Sequence, residues 1–198
     1  MIDALEAVGV DYMLRGALAV GAWAEARSTQ DVDLAINLPL EQVQRLSDEL
    51  ARRDILIPAD LMRDLLLETR GDTALVGYHA HWGYKVELFP LRPGDELRTS
   101  ALARRRLVDL GSPLGRVYIH SPEDLILYKL SYYSLSHQQK HTRDIVAILL
   151  AQKANLDHAY LTRWIGRLGL EAVWRYMNAP ATSIAGWLSF TSKLCWML

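Results

Sequence analysis

Residues 12–36 read YMLRGALAVGAWAEARSTQDVDLAI, and this order of apolar and polar residues predicts a strand, a glycine turn, a short helix and a second strand. The apolar residues 12–14 run into Gly16, and the alanine-rich segment that follows consists of good helix formers. From Asp31 to Ile36 polar and apolar residues then alternate with the period of a strand. We therefore expect the protein to be organised around this strand–turn–helix–strand unit.

Two carboxylates are predicted to share one face of the second strand. Because successive side chains of a strand point to opposite faces, Asp31 and Asp33 lie on one face while Val32 and Leu34 lie on the other. The two carboxylates are then about 6 to 7 Å apart along the strand. Like charges this close raise each other's pKa unless a cation lies between them, and hard oxygen ligands at this spacing suit Mg²⁺. A divalent metal site is one interpretation, and a surface Asp-x-Asp without a function is the other.

This pattern resembles the nucleotidyltransferase fold of the polymerase-beta type, in which a Gly-Ser turn opens a helix and an Asp-x-Asp strand follows. Residues 27–33, RSTQDVD, are especially similar to small bacterial nucleotidyltransferase-like proteins, which include AbiEii-type toxins and minimal nucleotidyltransferase antitoxins. The resemblance extends over about residues 10–150. It implies an α+β fold with a mixed sheet flanked by helices, followed by a C-terminal helical set.

The glycine turn departs from the family pattern at one position. Gly16 is followed by Ala17 where the family usually has serine, so no hydroxyl is available there for a phosphate. Backbone N–H groups can still hold a phosphate, because a helix N-terminus has unsatisfied donors and the positive end of the helix dipole. Gly16 and Ala17 are therefore the predicted nucleotide-binding turn.

The third acidic residue implied by the resemblance is Glu87, on a strand predicted at residues 83–89. Within this strand Lys85, Glu87 and Phe89 share one face. The family usually has Asp at this position, and the extra methylene of Glu shifts the carboxylate by about 1.5 Å. The resemblance implies that Asp31, Asp33 and Glu87 bind Mg²⁺ or Mn²⁺. The alternative for Glu87 is an exposed strand residue that pairs with Lys85 or a neighbour.

Two charged residues in the C-terminal half complete the predicted site. Residues 121–124, SPED, are a strong helix start, and Lys129 emerges from an otherwise apolar face of the helix predicted at 122–135. The resemblance implies that Lys129 faces the nucleotide phosphates, and the alternative is a lysine whose ammonium reaches water. Asp144 is predicted to orient Lys129 or to act as a base toward an acceptor hydroxyl; a simple pair with Lys140 is the other interpretation.

The remaining elements follow from periodicity and from turn residues. Helices are predicted at residues 2–8, 40–50, 58–68, 94–106, 157–168 and 170–177, and further strands at 73–78, 106–110 and 116–120. In the helix at 58–68 we expect Leu61, Leu65 and Leu66 to face inward. The chain is divided into an α/β core at 1–120, a helical region at 121–177 and a tail at 178–198. The tail has no clear periodicity, and it is either a docking segment or an end foreign to the native protein.

Composition sets modest bounds. A chain of 198 residues with 51% hydrophobic content is sufficient for a core, and the net charge of −1 provides no overall basic field for nucleic acid. The single cysteine, Cys195, excludes a disulfide framework or a cysteine metal site within the chain. Neither a signal-like start nor a membrane-spanning run is present, so we expect a cytoplasmic protein without a membrane partner.

Two functional hypotheses follow from the resemblance. The first is a metal-dependent nucleotidyltransferase that moves a nucleoside monophosphate from a nucleoside triphosphate to an acceptor hydroxyl of RNA or protein. The second is a catalytically weak nucleotide-binding or interaction module, which belongs to a toxin–antitoxin pair and works through its cognate partner. The departures at Ala17 and Glu87 motivate the second hypothesis.

Overall fold

A computed structural model of the chain describes residues 1–68, 72–112 and 114–177. The strands within these ranges are β1 (Asp11–Leu14), β2 (Asp31–Asn37), β3 (Leu75–Tyr78), β4 (Lys85–Pro90), β5 (Arg106–Asp109) and β6 (Arg116–Ile119). The α-helices are α1 (Ile2–Val8), α2 (Gly16–Trp23), α3 (Val43–Ala51), α4 (Ala59–Leu67), α5 (Glu96–Ala103), α6 (Pro122–Ser136), α7 (Gln139–Gln152), α8 (His158–Leu168) and α9 (Glu171–Met177). The fold is therefore α+β, as the sequence predicts.

The six strands form one mixed sheet in the order β3-β4-β2-β1-β6-β5. At its centre β1 is antiparallel to β2, while β4 is parallel to β2 and β6 is parallel to β1. The edge strands β3 and β5 are the antiparallel hairpin partners of β4 and β6. The parallel pair of β2 and β4 positions the candidate site, because it brings the two acidic strands side by side.

Helices cover the centre of the sheet on both faces. Three successive residues of β2, Leu34–Ile36, are all buried, and this requires cover on both sides because their side chains alternate between the faces. The helices α1, α3 and α4 pack in one group, and α2 packs with α6 and α7 in another. The helices α8 and α9 extend this second group through contacts with α6. The predicted C-terminal helical set is thus present.

The predicted helices and strands are present, with ends that differ by a few residues. Ser121 caps α6 as expected, since its side chain accepts a hydrogen bond from the backbone N–H of Asp124. One prediction of orientation is wrong: Leu61 is 49% exposed, and Met62 is buried with Leu65 instead. The predicted tail lies outside the described residues. Within the described ranges, every helix is too short or too polar to cross a membrane.

Candidate active site

A cleft with a volume of about 490 Å³ lies where the start of α2 meets β2, β4 and the helices α6 and α7. The predicted site residues that line it are Gly16, Ala17, Asp31, Asp33, Glu87 and Lys129. The remaining predicted residue, Asp144, does not line the cleft and contacts Lys129 instead. Residues that are more than 100 positions apart in the sequence therefore meet in one place.

The three acidic residues lie on one face of two parallel strands. In the register of β2 and β4, Asp33 is opposite Glu87 and Asp31 is opposite Lys85. The side chains that alternate with them on β4, Val86 and Leu88, are buried in the core. The alternation that the sequence predicts is thus present in both strands, and the pairing brings all three carboxylates to the cleft.

A lysine lies beside two of these carboxylates. The Nζ atom of Lys85 is 3.4 Å from Oδ1 of Asp31 and 3.3 Å from Oε1 of Glu87. Burial acts to lower the pKa of Lys85, but the two neighbouring carboxylates outweigh burial and raise it. Lys85 is therefore a cation at neutral pH. Pairing with Lys85 is the alternative that the sequence left open for Glu87, and the structure contains this pair within the acidic cluster.

The surroundings of Asp33 shift the pKa of its carboxyl group. Burial and the adjacent Glu87 carboxyl raise its pKa to about 6, while the positive charge of Arg15 acts in the opposite direction. A cation that binds next to such a carboxylate stabilises its charged form.

Gly16 is required where Asp33 approaches the backbone. Its φ is +68°, in the left-handed region that favours glycine, and a Cβ atom built there would lie 1.8 Å from Oδ2 of Asp33. The N-cap residue of α2, Arg15, makes no side-chain capping hydrogen bond. The glycine turn thus places the start of a helix directly beside an acidic residue of the cleft.

Lys129 is held by a buried carboxylate. Its Nζ atom donates to Oδ2 of Asp144 at 2.5 Å, and Nε of Arg27 donates to Oδ1 of the same carboxylate at 3.1 Å. Lys129 is 6% exposed and Asp144 is 2% exposed. Burial lowers the pKa of Lys129, although Asp144 opposes this effect. Asp144 thus pairs with Lys129 and Arg27, and the pair with Lys140 is not the one that the structure contains.

One part of the cleft has no counterpart in the sequence predictions. The guanidinium of Arg15 lies 3.9 Å from the ring centroid of Phe89 and 3.5 Å from Asp72, and the hydroxyl of Tyr132 contacts both Arg15 and Asp72. His120 lines the same wall, and burial with two nearby arginines holds its pKa well below the usual value. The position of Arg15 next to Gly16 is the only sequence signal for this wall.

The donor chemistry of the cleft suits a divalent cation. Three carboxylates on one face supply the hard oxygen ligands that Mg²⁺ and Mn²⁺ prefer, and the raised pKa of Asp33 reflects burial and crowding that a cation would offset. As the side chains stand in the described part of the chain, no three His, Cys, Asp or Glu residues converge into a metal-ligand group. The cation that contacts Asp31 and Glu87 is Lys85.

No protein-family model and no curated protein sequence matches the chain. Among solved structures, the solution structure of the antibiotic-resistance factor ANT(2'')-Ia is similar with a TM-score of 0.54 and 15% identity, over 88% of each chain. The crystal structure of ANT(2'')-Ia with adenylyl-2''-tobramycin has a TM-score of 0.54 and 14% identity, over 84% of this chain and 93% of that one.

A third similar structure is an antigenic nucleotidyltransferase-like protein from Paracoccidioides brasiliensis, with a TM-score of 0.52 and 20% identity, over 92% of this chain and 88% of that one. At these identities the likeness concerns the fold. The protein therefore has the nucleotidyltransferase fold.

Proposed function

We propose that the protein is a nucleotidyltransferase that uses Mg²⁺ or Mn²⁺ to move a nucleoside monophosphate from a nucleoside triphosphate to an acceptor hydroxyl. The observation that carries this proposal is the cleft itself, in which Asp31, Asp33 and Glu87 face the glycine turn at Gly16 and the ammonium of Lys129. The fold shared with ANT(2'')-Ia supports it.

Each group in the cleft has a role in this proposal. Asp31, Asp33 and Glu87 would hold the divalent cation, which neutralises charge on the reacting phosphate when it is bound. The N–H groups at the start of α2 would hold triphosphate oxygens in place of the absent serine hydroxyl. Lys129 would face the phosphates with its ammonium already oriented by Asp144, so that little reorganisation is needed when charge develops.

Asp144 has two possible roles, and its contacts favour one of them. A general base has to reach the acceptor hydroxyl, whereas both carboxylate oxygens of Asp144 accept hydrogen bonds from cationic side chains inside the protein. We therefore propose that Asp144 orients Lys129 and does not remove the acceptor proton.

Three classes of acceptor are candidates for the proposed transfer: a small molecule, RNA and a protein. The crystal structure of ANT(2'')-Ia is a complex with adenylyl-2''-tobramycin, a small molecule. The likeness of residues 27–33 to toxin and antitoxin proteins favours RNA or a protein, including a cognate toxin or antitoxin partner. A transfer assay should therefore offer all three classes of acceptor.

The direct test is transfer of label from each of the four nucleoside triphosphates to these acceptors with Mg²⁺ or Mn²⁺. We expect product with the wild type, and a loss of about 100-fold or more for Asp31→Asn and for Asp33→Asn. Asp60→Asn is the matched control, because this carboxylate on α4 is 93% exposed on the surface. Equal product from the wild type and both cleft variants would contradict the proposal.

A catalytically weak nucleotide-binding or interaction module is the second candidate. Two observations favour it: the family serine is replaced by Ala17, and the ammonium of Lys85 contacts two of the three acids. In this case calorimetry would detect nucleotide or partner binding, while turnover would stay absent with Mg²⁺ and with Mn²⁺. Measurable transfer to any acceptor would count against this candidate.

A further inference from the structure

The ammonium of Lys85 lies where the strand register brings a cation to the acidic cluster. Because Lys85 and Glu87 are two residues apart on β4, their side chains share a face, and the parallel pairing sets Lys85 opposite Asp31. The ammonium contacts carboxylates of both strands, at 3.4 Å from Asp31 and 3.3 Å from Glu87. It therefore links β2 to β4 in the lining of the cleft.

Three other cations of the cleft are paired with different carboxylates. Lys129 and Arg27 share Asp144, and Arg15 pairs with Asp72. None of these partners is one of the three candidate metal ligands, whereas both partners of Lys85 are. Lys85 is thus the cation in the described residues that would share its carboxylates with a bound metal.

The side chain of Lys85 can also leave this position. It is 30% exposed, so its ammonium can turn into water without crossing the packed core. An ammonium and a divalent cation cannot keep the same carboxylate oxygens at low cost, because two positive charges about 4 Å apart repel strongly in a partly buried site. A metal that binds Asp31 and Glu87 must therefore displace the ammonium.

We propose that Lys85 is an internal counterion of the acidic cluster, which occupies the cation position between Asp31 and Glu87 until a divalent metal displaces it. The inference rests on the proposed function, because the metal role of the acids belongs to that function. Lys85 offsets part of the negative charge of the metal-free cluster and raises the metal concentration that the site needs. It is a positioning residue, since it acts through the two carboxylates.

The test measures binding of Mn²⁺ alone to the full chain, by calorimetry and by electron paramagnetic resonance of the free ion. Lys85→Gln and Lys85→Met remove the ammonium, and two variants are used in case one fails to fold. Lys140→Gln is the matched control: Lys140 is an exposed lysine of the same cleft and has no ion-pair partner in the described residues. It removes the same charge without touching the acids.

We expect both Lys85 variants to bind Mn²⁺ about tenfold more tightly than the wild type, and Lys140→Gln to change affinity by less than about threefold. We also expect the Lys85 variants to melt at a lower temperature without metal, and Mn²⁺ to raise their melting temperature more than that of the wild type. A lysine with a purely structural role would lower the melting temperature without tightening metal binding.

Other outcomes separate this inference from the proposed function. Detectable binding by the Lys85 variants alone would support the inference. Equal or weaker binding by the Lys85 variants, with clear binding by the wild type, would overturn the inference and leave the proposed function standing. An equal increase in Mn²⁺ affinity in Lys140→Gln would also overturn the inference. The increase would then come from the lower positive charge of the whole cleft and not from the contact of Lys85 with the acids. No binding by any of the proteins would overturn both.

Discussion

At the scale of single residues, Gly16 lies too close to Asp33 to be replaced by a residue with a side chain. Gly16→Ala places a methyl group against the Asp33 carboxylate and keeps a left-handed backbone that costs about 1 kcal/mol for a residue with a side chain. We expect a larger loss of unfolding free energy than the backbone cost alone, together with weaker binding of Mn²⁺, because Asp33 has to move.

Gly9→Ala is the matched control for this prediction. Gly9 also has a positive φ, +81°, but a Cβ atom there would meet nothing within 4 Å. Both variants carry the backbone cost, and only Gly16→Ala displaces a site residue. Urea denaturation of both, with and without Mn²⁺, separates the two effects. Equal losses and equal metal responses would show that the contact with Asp33 is unimportant.

The raised pKa of Asp33 predicts that the stability of the protein depends on pH. Its pKa in the folded protein, about 6, is above the ordinary value of 3.8, so the folded state favours the protonated form. The stability that Asp33 contributes is complete below pH 4 and is lost as the pH rises through about 6. Relative to the wild type, Asp33→Asn should therefore gain stability between pH 4 and pH 7 in metal-free buffer. Melting curves across this range measure the difference in melting temperature between the two proteins. A difference that does not change with pH would contradict the raised pKa of Asp33.

At the scale of strands and helices, the sequence shows which residues share a face but not which strands become neighbours. Alternation within β2 and β4 predicts the faces of Asp31, Asp33 and Glu87, because it depends only on residues two apart. The parallel pairing that sets Lys85 beside Asp31 joins segments about 50 residues apart, and no local pattern encodes it. The contact between Lys85 and Asp31 could therefore not be predicted from the sequence and is found only in the structure.

The helix α4 illustrates the same limit. Its apolar residues include Leu61, Met62 and Leu65, so more than one face has helical spacing. Packing against α3 and β3 decides that Met62 is buried and Leu61 is exposed. Likewise, the contact of Arg15 with Asp72 depends on how a distant segment reaches the cleft. Periodicity predicts elements, while tertiary contacts select among faces of similar hydrophobicity.

The pair of Lys129 on α6 and Asp144 on α7 predicts a measurable coupling between two helices. Asp144→Asn leaves a buried ammonium without its carboxylate, and we expect a loss of about 3 kcal/mol in unfolding free energy. Lys129→Met should be less costly, because Arg27 still neutralises Asp144. In a double-mutant cycle the two changes should differ from additivity by about 1 to 3 kcal/mol. Additive losses would mean that the pair does not act as a unit.

At the scale of the whole molecule, the fold is similar to solved nucleotidyltransferases although no family model matches the sequence. Cores accept many combinations of apolar residues if volume and patterning are kept, so 15% identity is compatible with a shared fold. The buried residues of this chain follow the patterns of its strands and helices. The fold class could thus be expected from the resemblance of a short motif, together with periodicity, whereas the order of the strands could not.

The whole molecule should also be more stable when the acidic cluster holds a metal. A cation that binds only the folded state at 100 times its dissociation constant adds about 2.7 kcal/mol, which for a chain of this size raises the melting temperature by roughly 5 to 10 °C. We expect this rise with Mn²⁺ in the wild type and a much smaller rise in Asp33→Asn. A melting temperature that ignores millimolar Mn²⁺, or an equal response of Asp33→Asn, would contradict the assignment of the acids.

The register of β2 and β4 has a consequence for how the sheet assembles. A slip of one residue would turn Lys85 and Glu87 toward the core, where Val86 and Leu88 are now 3% and 0% exposed. Moving charged groups out of water costs several kcal/mol for each group, which is comparable to the total stability of a typical domain. The charged residues of the cleft therefore destabilise a mispaired register of β2 and β4 during folding. They favour the correct register before any ligand binds.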